Sequence, residues 1–509
     1  MRAKAGLFTC ALLCGVAAMV LPGVAGAADI GFQGPAYTAG TGGSPTGWKP
    51  ESKLWWNDGF WWASVFDRDS DAYHIYRLRH RTQRWVDTGV TIDTRDSTRQ
   101  DVLWDASSGK LFVASHKFQA PATFSASPNP DDAMQLQRFS YNAATNTYSL
   151  DFQTQIDDQR SETLVIDRDS TGRLWATWVQ QDGPGGAYRV FVNTSSDGGA
   201  TWSGRFALPG AGAVTFDDIS SVIAFGGNKI GVMWGDQGAS AMMFAVHADG
   251  AANTDWAIET AMSGPKRAED HINLKADGAG RVYAAVRTKF SAAANPGTML
   301  LVRDAVTGTW TSHQVTNASF DHTRPIVLLD ARRAYVFEVG GGVVYMKSSR
   351  LGAIAFSGSA GTPVIRDQSS AAVTNPTSTK QNLNGTTQLI VMASNNSTKR
   401  YWHAYRQLRP CINGTAGPNT LVGTAGDDRL CGRGGNDSVR GLGGNDLLSG
   451  GSGADQLIGD SGRDTFRAGR GKDTLFARDK RRELVHGGGG RDRARVDGTD
   501  IRRSIEALF

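Results

Sequence analysis

Cysteine is almost missing from this chain: 509 residues hold four, and Cys10 and Cys14 lie in a leader-like N-terminus, which leaves Cys411 and Cys431. A disulfide-rich scaffold is thereby excluded, and one bridge is expected once the chain has left the reducing cytosol. Charged residues make up 20% and prolines number 16, against 62 glycines. That balance speaks against a helical enzyme and for many short strands joined by turns, an all-β chain. Charge of one sign is also scarce: the net is +5, and no basic stripe interleaved with aromatics crosses the first 400 residues. No nucleic acid partner is expected.

Long apolar runs are lacking too, and none reaches the roughly 20 residues that span a bilayer, so no membrane span is expected. The nearest, Leu7 to Leu21, follows Arg2 and Lys4 and precedes the small-residue site Ala25-Gly26-Ala27. This is the pattern of a cleaved signal peptide over residues 1–27, and it predicts a secreted, extracellular protein beginning at Ala28.

What the sequence does have is repetition. From Gly423 to Phe476 it reads GTAGDDRLC, GRGGNDSVR, GLGGNDLLS, GGSGADQLI, GDSGRDTFR and AGRGKDTLF, a strict nine-residue period. Glycine holds the fourth position, aspartate the sixth (Asp428, Asp437, Asp446, Asp455, Asp464, Asp473), and Leu, Phe or Val the eighth. Glycines permit tight turns, carboxylates and turn carbonyls supply hard oxygen ligands, and the apolar residue points inward from a short strand. Such oxygens suit Ca²⁺, which takes six to eight of them in irregular geometry.

These units resemble the RTX, or haemolysin-type, calcium-binding nonapeptide GGxGxDxUx. The resemblance implies a parallel β-roll over residues 411–509, with Ca²⁺ as cofactor and the six aspartates as metal ligands. It also implies that two units make one turn, so that Asp428 stacks on Asp446, Asp437 on Asp455, Asp446 on Asp464 and Asp455 on Asp473. Cys411 and Cys431, 20 positions apart, would then staple the first turn. The fifth position runs Asp427, Asn436, Asn445, Ala454, Arg463, Lys472; a cation beside a Ca²⁺ site costs electrostatic energy, so weaker binding is expected in the late turns. Asp492 recovers one further unit, and the basic tail from Arg478 to Arg482 is read as a solvated end or as a contact for an anionic wall polymer.

Residues 28–410 hide a longer period. Phe60, Leu111, Leu174, Ile230, Val282, Ala334 and Leu389 begin apolar strand-like segments spaced 51 to 63 residues apart. Seven units of that length predict a seven-bladed β-propeller ahead of the β-roll. In the third unit Ser195-Ser196-Asp197-Gly198-Gly199-Ala200-Thr201-Trp202 spells S-x-D-x-G-x-T-W. This resembles the Asp box, or BNR repeat, of sialidase-like propellers, and implies that Asp197 ties a hairpin away from any active site. The likeness covers architecture rather than chemistry, because the chain has one clean box, no F-R-I-P element near the mature N-terminus and no recognisable tyrosine–glutamate nucleophile pair.

Charged residues recur beside each apolar segment at the same phase. The loops leading into the inner strands carry Lys53, Arg99 and Asp101, Arg160 and Glu162, Asp217 and Asp218, Glu269-Asp270-His271, His322 and Arg324, and Lys380. Converging acids, histidines and arginines suit an acidic glycan, with cations to hold it and an acid and base to cleave it. Asp218, Asp270, His271 and Arg324 are the catalytic candidates, and Arg287 and Lys380 join Arg324 as an anion clamp. Trp178 and Trp234 are candidate stacking platforms. A lyase would use His271 as base beside an arginine, whereas a hydrolase would use two of the acids. The same ring reads equally as a salt-bridge network closing the channel. A glycan-cleaving enzyme, a lectin-like adhesin and a cell-surface structural protein therefore all stay open.

Overall fold

A computed structural model describes residues 28–38, 43–47, 49–384, 388–406 and 411–509. The signal-peptide reading of residues 1–27 lies outside them. Seven four-stranded antiparallel sheets precede two six-stranded parallel sheets, so the expected seven-bladed propeller and roll are both present.

Each apolar segment picked out by spacing opens, or follows by one residue, the second strand of a blade, as in Phe60–Asp67, Leu174–Gln181 and Lys229–Asp236. These strands are buried on both faces because neighbouring blades cover them, which is why they read as continuous apolar runs rather than alternating ones. The outermost strands, such as Arg84–Asp93 and Thr147–Asp157, alternate between exposed and covered residues, as a sheet with one wet face should. Blade 7 joins the two ends of the ring: Phe32–Ala36 pairs antiparallel with Arg400–Arg406 and completes the sheet begun by Val373–Thr377 and Leu389–Asn395. That closure covers the edge that would otherwise be free.

Aspartates organise the turns between inner strands. Asp169 accepts the backbone N–H groups of Thr171 and Arg173 and, at 2.8 Å, the indole N–H of Trp175. Asp330 likewise accepts from Arg332 and Arg333 and from the Tyr335 hydroxyl. In the third blade Asp197 accepts from Ser195 Oγ and from both the N–H and hydroxyl of Thr201. Those bonds, Thr201 foremost, lower its carboxyl to about 2.

In the roll, residues pair one turn apart at a separation of 18: Leu430 with Leu448, Leu448 with Phe466, Val439 with Leu457 and Leu457 with Leu475. These eighth-position side chains form an apolar core between the two sheets. Stacking this close depends on glycine at particular points; at Gly462, with φ +145°, an added Cβ would lie 1.7 Å from the Gly444 carbonyl oxygen. The roll touches the propeller where Arg503 pairs with Asp58 at 2.5 Å and Leu484 lies against Gly59.

Candidate functional site

Aspartates of the sixth position form two columns along the roll. The backbone N–H of each donates to Oδ1 of the aspartate one turn later: Asp428 to Asp446, Asp437 to Asp455, Asp446 to Asp464 and Asp455 to Asp473, at 2.7–2.8 Å. Asp473 continues the ladder to Asp492 at 2.9 Å. The second oxygens of Asp437, Asp446, Asp455, Asp464, Asp473 and Asp492 are buried and meet no hydrogen-bond donor. Asp428, at the start, differs in that its Oδ2 accepts from Thr424.

The first-position glycines make room for these carboxylates. A Cβ at Gly432, Gly441, Gly450 or Gly459 would fall 2.1–2.2 Å from Oδ2 of the aspartate five residues on. Burial first, and then the charges of stacked neighbours, push Asp446 up to about 7 and Asp473 to about 6. Buried oxygens without donors, in a field that resists negative charge, suit a hard divalent cation. The residues present fit Ca²⁺, and these aspartates would hold it.

The fifth position has another task. Oδ1 of Asp427, Asn436 and Asn445 accepts the backbone N–H of Asn445, Ala454 and Arg463, one turn later. Only the backbone of Ala454 and Arg463 is used in return, so Arg463 and Lys472 are free to extend exposed side chains. Solvent therefore screens the charge that each sets beside its aspartate. Cys411 and Cys431 are bonded, with Cα atoms 5.7 Å apart.

The propeller mouth gathers part of the expected ring. Glu269 and Asp270 each approach His271 Nδ1 at 2.8 Å, and His271 Nε2 lies 3.3 Å from Thr323 Oγ1. Asp270 also pairs with Lys49, which in turn binds Glu162 at 2.6 Å. Burial alone would raise Asp270, but the hydrogen bond from His271 and the charges of His271 and Lys49 hold it well below the usual carboxylate range. For His271 burial works against the proton, and the two carboxylates overcome it and raise its affinity. Arg287 binds Glu269 at 2.6 Å and Asp321 at 3.2 Å. Arg324, held at φ +52°, feels the charges of Asp270 and Glu269.

Other candidates lie elsewhere. Asp218 is buried beside this group, and both its oxygens are taken by a turn: Oδ2 accepts from the N–H and hydroxyl of Thr215, and Oδ1 from Gln237 N. Lys380 follows the inner strand of blade 7 instead of leading into it. It pairs with buried Asp101 at 2.9 Å and lines a channel cavity of about 240 Å³ with Asp167 and Lys275, so it is no part of a clamp at the mouth. The inner strand VTNPT is only weakly apolar, and spacing alone misplaced its phase. Trp178 and Trp234 are 0% and 1% exposed, each packed in a core cluster of aliphatic and aromatic side chains; neither has a face for a sugar.

Lys49 and Glu51 were not expected. Both are buried, and Glu51 binds the equally buried His116 at 2.6 Å. Their one sequence signal is that they precede the first inner strand at the phase of Lys53. A second grouping, Asp67, His74 and Asp87, also brings ligand-type atoms together, on blade 1.

Residues 413–448 and 440–475 match the family model of the RTX calcium-binding nonapeptide repeat. The roll carries RTX repeats. Among curated proteins no sequence matches the chain. Solved structures of similar shape include an ulvan lyase described as a polysaccharide lyase, at 12% identity and TM-score 0.49, covering 74% of this chain and 98% of that one. An α-L-arabinanase of Penicillium chrysogenum aligns at 9% identity and TM-score 0.41 over 65% of this chain and 99% of the other. The sialidase of Trypanosoma rangeli aligns at 14% identity and TM-score 0.37 over 57% and 52%. Among the described residues no helix is long and apolar enough to cross a membrane.

Proposed function

We propose that the chain is an extracellular calcium-binding protein whose RTX roll is loaded with Ca²⁺ outside the cell and whose propeller mouth binds an anionic glycan. The leader-like N-terminus and the Cys411–Cys431 bond support the location. The observation that carries the glycan reading is the cleft of about 390 Å³ beside His271. It is lined by Glu269, Arg287, Lys289, Phe290 and Asp321. Cations to meet a carboxylate or sulfate, acids to meet hydroxyls and an aromatic edge for a ring face are the groups a saccharide subsite uses.

Cleavage is the second reading, favoured by the carboxylate–histidine grouping. Glu269 and Asp270 both face His271 Nδ1 and raise its proton affinity, which favours a general-acid role through Nε2, on the Thr323 side, over the base role of a lyase. Asp270, kept ionised, cannot be that acid and is fitted to orient the imidazolium.

A panel of uronate-bearing and sulfated polysaccharides tests both. Saturable binding in calorimetry, weakened by Arg287→Ala, with no new reducing ends or unsaturated uronate, supports a binding protein. Product formation abolished by His271→Ala supports an enzyme, and the absence of both binding and product overturns the glycan reading.

A further inference from the structure

Beyond the nonapeptides the sequence turns from glycine and aspartate to Ala477-Arg478-Asp479-Lys480-Arg481-Arg482-Glu483. The roll does not stop there. It takes in one extra residue, so that Phe466 pairs with Val485 and Leu475 with Ala494, 19 apart. That slip sets Glu483 above Asp464, in the column that runs Asp428, Asp446, Asp464.

Glu483 is 2% exposed and no donor group reaches either of its carboxylate oxygens; the side chain within hydrogen-bond reach of it is Asp464, another acid. Oδ2 of Asp464 is buried and unpartnered in the same way, while its Oδ1 is occupied by the Asp446 N–H. Two buried carboxylates thus present three unsatisfied oxygens, and among the described residues neither enters an ion pair. The nearby cations cannot neutralise them, because Arg478, Lys480, Arg481 and Arg482 extend exposed side chains.

Surrounding acids are fixed by backbone donors. Asp479 accepts from Gly462 N at 3.0 Å and Arg481 N at 2.7 Å, and Asp500 from Glu483 N at 3.0 Å and Asp497 N at 2.6 Å. Asp497 in turn accepts the Asp479 N–H at 3.0 Å. Leaving buried carboxyl oxygens without a donor or a cation is costly, and a cage whose walls are already hydrogen-bonded has little ordering left to do when an ion arrives.

We propose that Glu483 and Asp464, walled by Asp479 and Asp500, form a Ca²⁺ site at the C-terminal end of the roll, outside the repeats that the RTX pattern describes. The ion closes the last turns, where the nonapeptide signature has run out, and bridges a segment that is otherwise basic on its outside. The proposal rests on the calcium reading of the roll, and its failure can be told apart from failure of that reading.

The experiment counts Ca²⁺ bound to the full chain by native mass spectrometry and by calorimetric titration, in wild type, Glu483→Gln and Asp455→Asn. Glu483→Gln is expected to lose one ion, with the repeat sites still filling, and to show a smaller calcium-induced rise in melting temperature. Asp455→Asn should lose ions of the repeat while the Glu483 site still fills. Glu483→Asp, which keeps the charge and shortens the reach, should keep the count and weaken that one site about tenfold, a readout that survives if Glu483→Gln folds poorly. An unchanged ion count in Glu483→Gln overturns the site. A wild-type chain that binds no Ca²⁺ overturns the calcium reading itself.

Discussion

The backbone N–H of Asp428 donates to Oδ1 of Asp446 at 2.7 Å, while Oδ2 of Asp446 is buried with no donor at all. One oxygen of each stacked carboxylate holds the turn before it, and the other is left for a cation. Metal binding is therefore expected to add to the stability of a stack that the same carboxylates already hold together. Removing Ca²⁺ from the full chain with a chelator should lower the β signal and the protease resistance of the roll while leaving the propeller intact. Limited proteolysis with and without chelator checks this, and equal resistance in the two samples would count against it.

The same relationship sets a pH dependence for the calcium-free roll. Asp446 in the fold keeps its proton up to about 7 and Asp473 up to about 6, against roughly 4 in an unfolded chain. Between those values the folded state binds more protons than the unfolded state, so stability falls as pH rises through the window. Without Ca²⁺ the roll should melt at a higher temperature at pH 5 than at pH 8. Saturating Ca²⁺, which binds the ionised form, should flatten or invert that slope. Scanning calorimetry across the two pH values in both conditions decides it.

Leu448 lies at the centre of the roll core, fully buried and stacked between Leu430 and Phe466. Leu448→Ala should cost about 2–5 kcal/mol, the usual range for emptying such a site, when measured by denaturant unfolding in saturating Ca²⁺. Thr474→Ala, on a half-buried strand position of the same roll, should be close to neutral.

How far the sequence could be read follows from what each domain repeats. The roll repeats residue types at fixed positions, so, with the two units per turn that the RTX resemblance implies, Leu430, Leu448 and Phe466 could be stacked from the sequence, and the aspartate columns with them. Glu483 escaped because it stands in a segment without the glycines, and only the register slip to 19 puts it over Asp464. The propeller repeats a hydrophobic rhythm without repeating residues. That was enough to find the second strand of every blade, but not to orient charges around the channel. Lys49 comes from a segment before the first blade and reaches Glu162 and Asp270, partners 113 and 221 residues away, a closure no local pattern encodes. Trp178 and Trp234 look the same in sequence whether they face a ligand or a neighbouring blade, and burial decided for the blade.

Asp270 is the carboxylate shared by Lys49 and His271. Asp270→Asn leaves Lys49 with Glu162 and His271 with Glu269, so each buried cation loses one carboxylate and keeps another. Breaking a buried pair outright costs about 3–5 kcal/mol; with the remaining partners in place, the loss should sit near the lower end, about 3 kcal/mol. The proton on His271 gives this a pH signature. Its folded affinity is raised above the ordinary histidine value, so the stability it contributes is complete below about 6.5 and is lost as pH climbs through the folded value. Wild-type propeller stability should therefore decline on raising the pH above that point, and Asp270→Asn should decline less, because one of the two carboxylates that hold the proton has gone. A double-mutant cycle with His271→Gln, run at pH 6 and pH 9, measures the coupling directly. A coupling that is large at pH 6 and shrinks at pH 9 is the expected result, and a coupling independent of pH would mean that the Asp270–His271 contact is neutral in the folded protein.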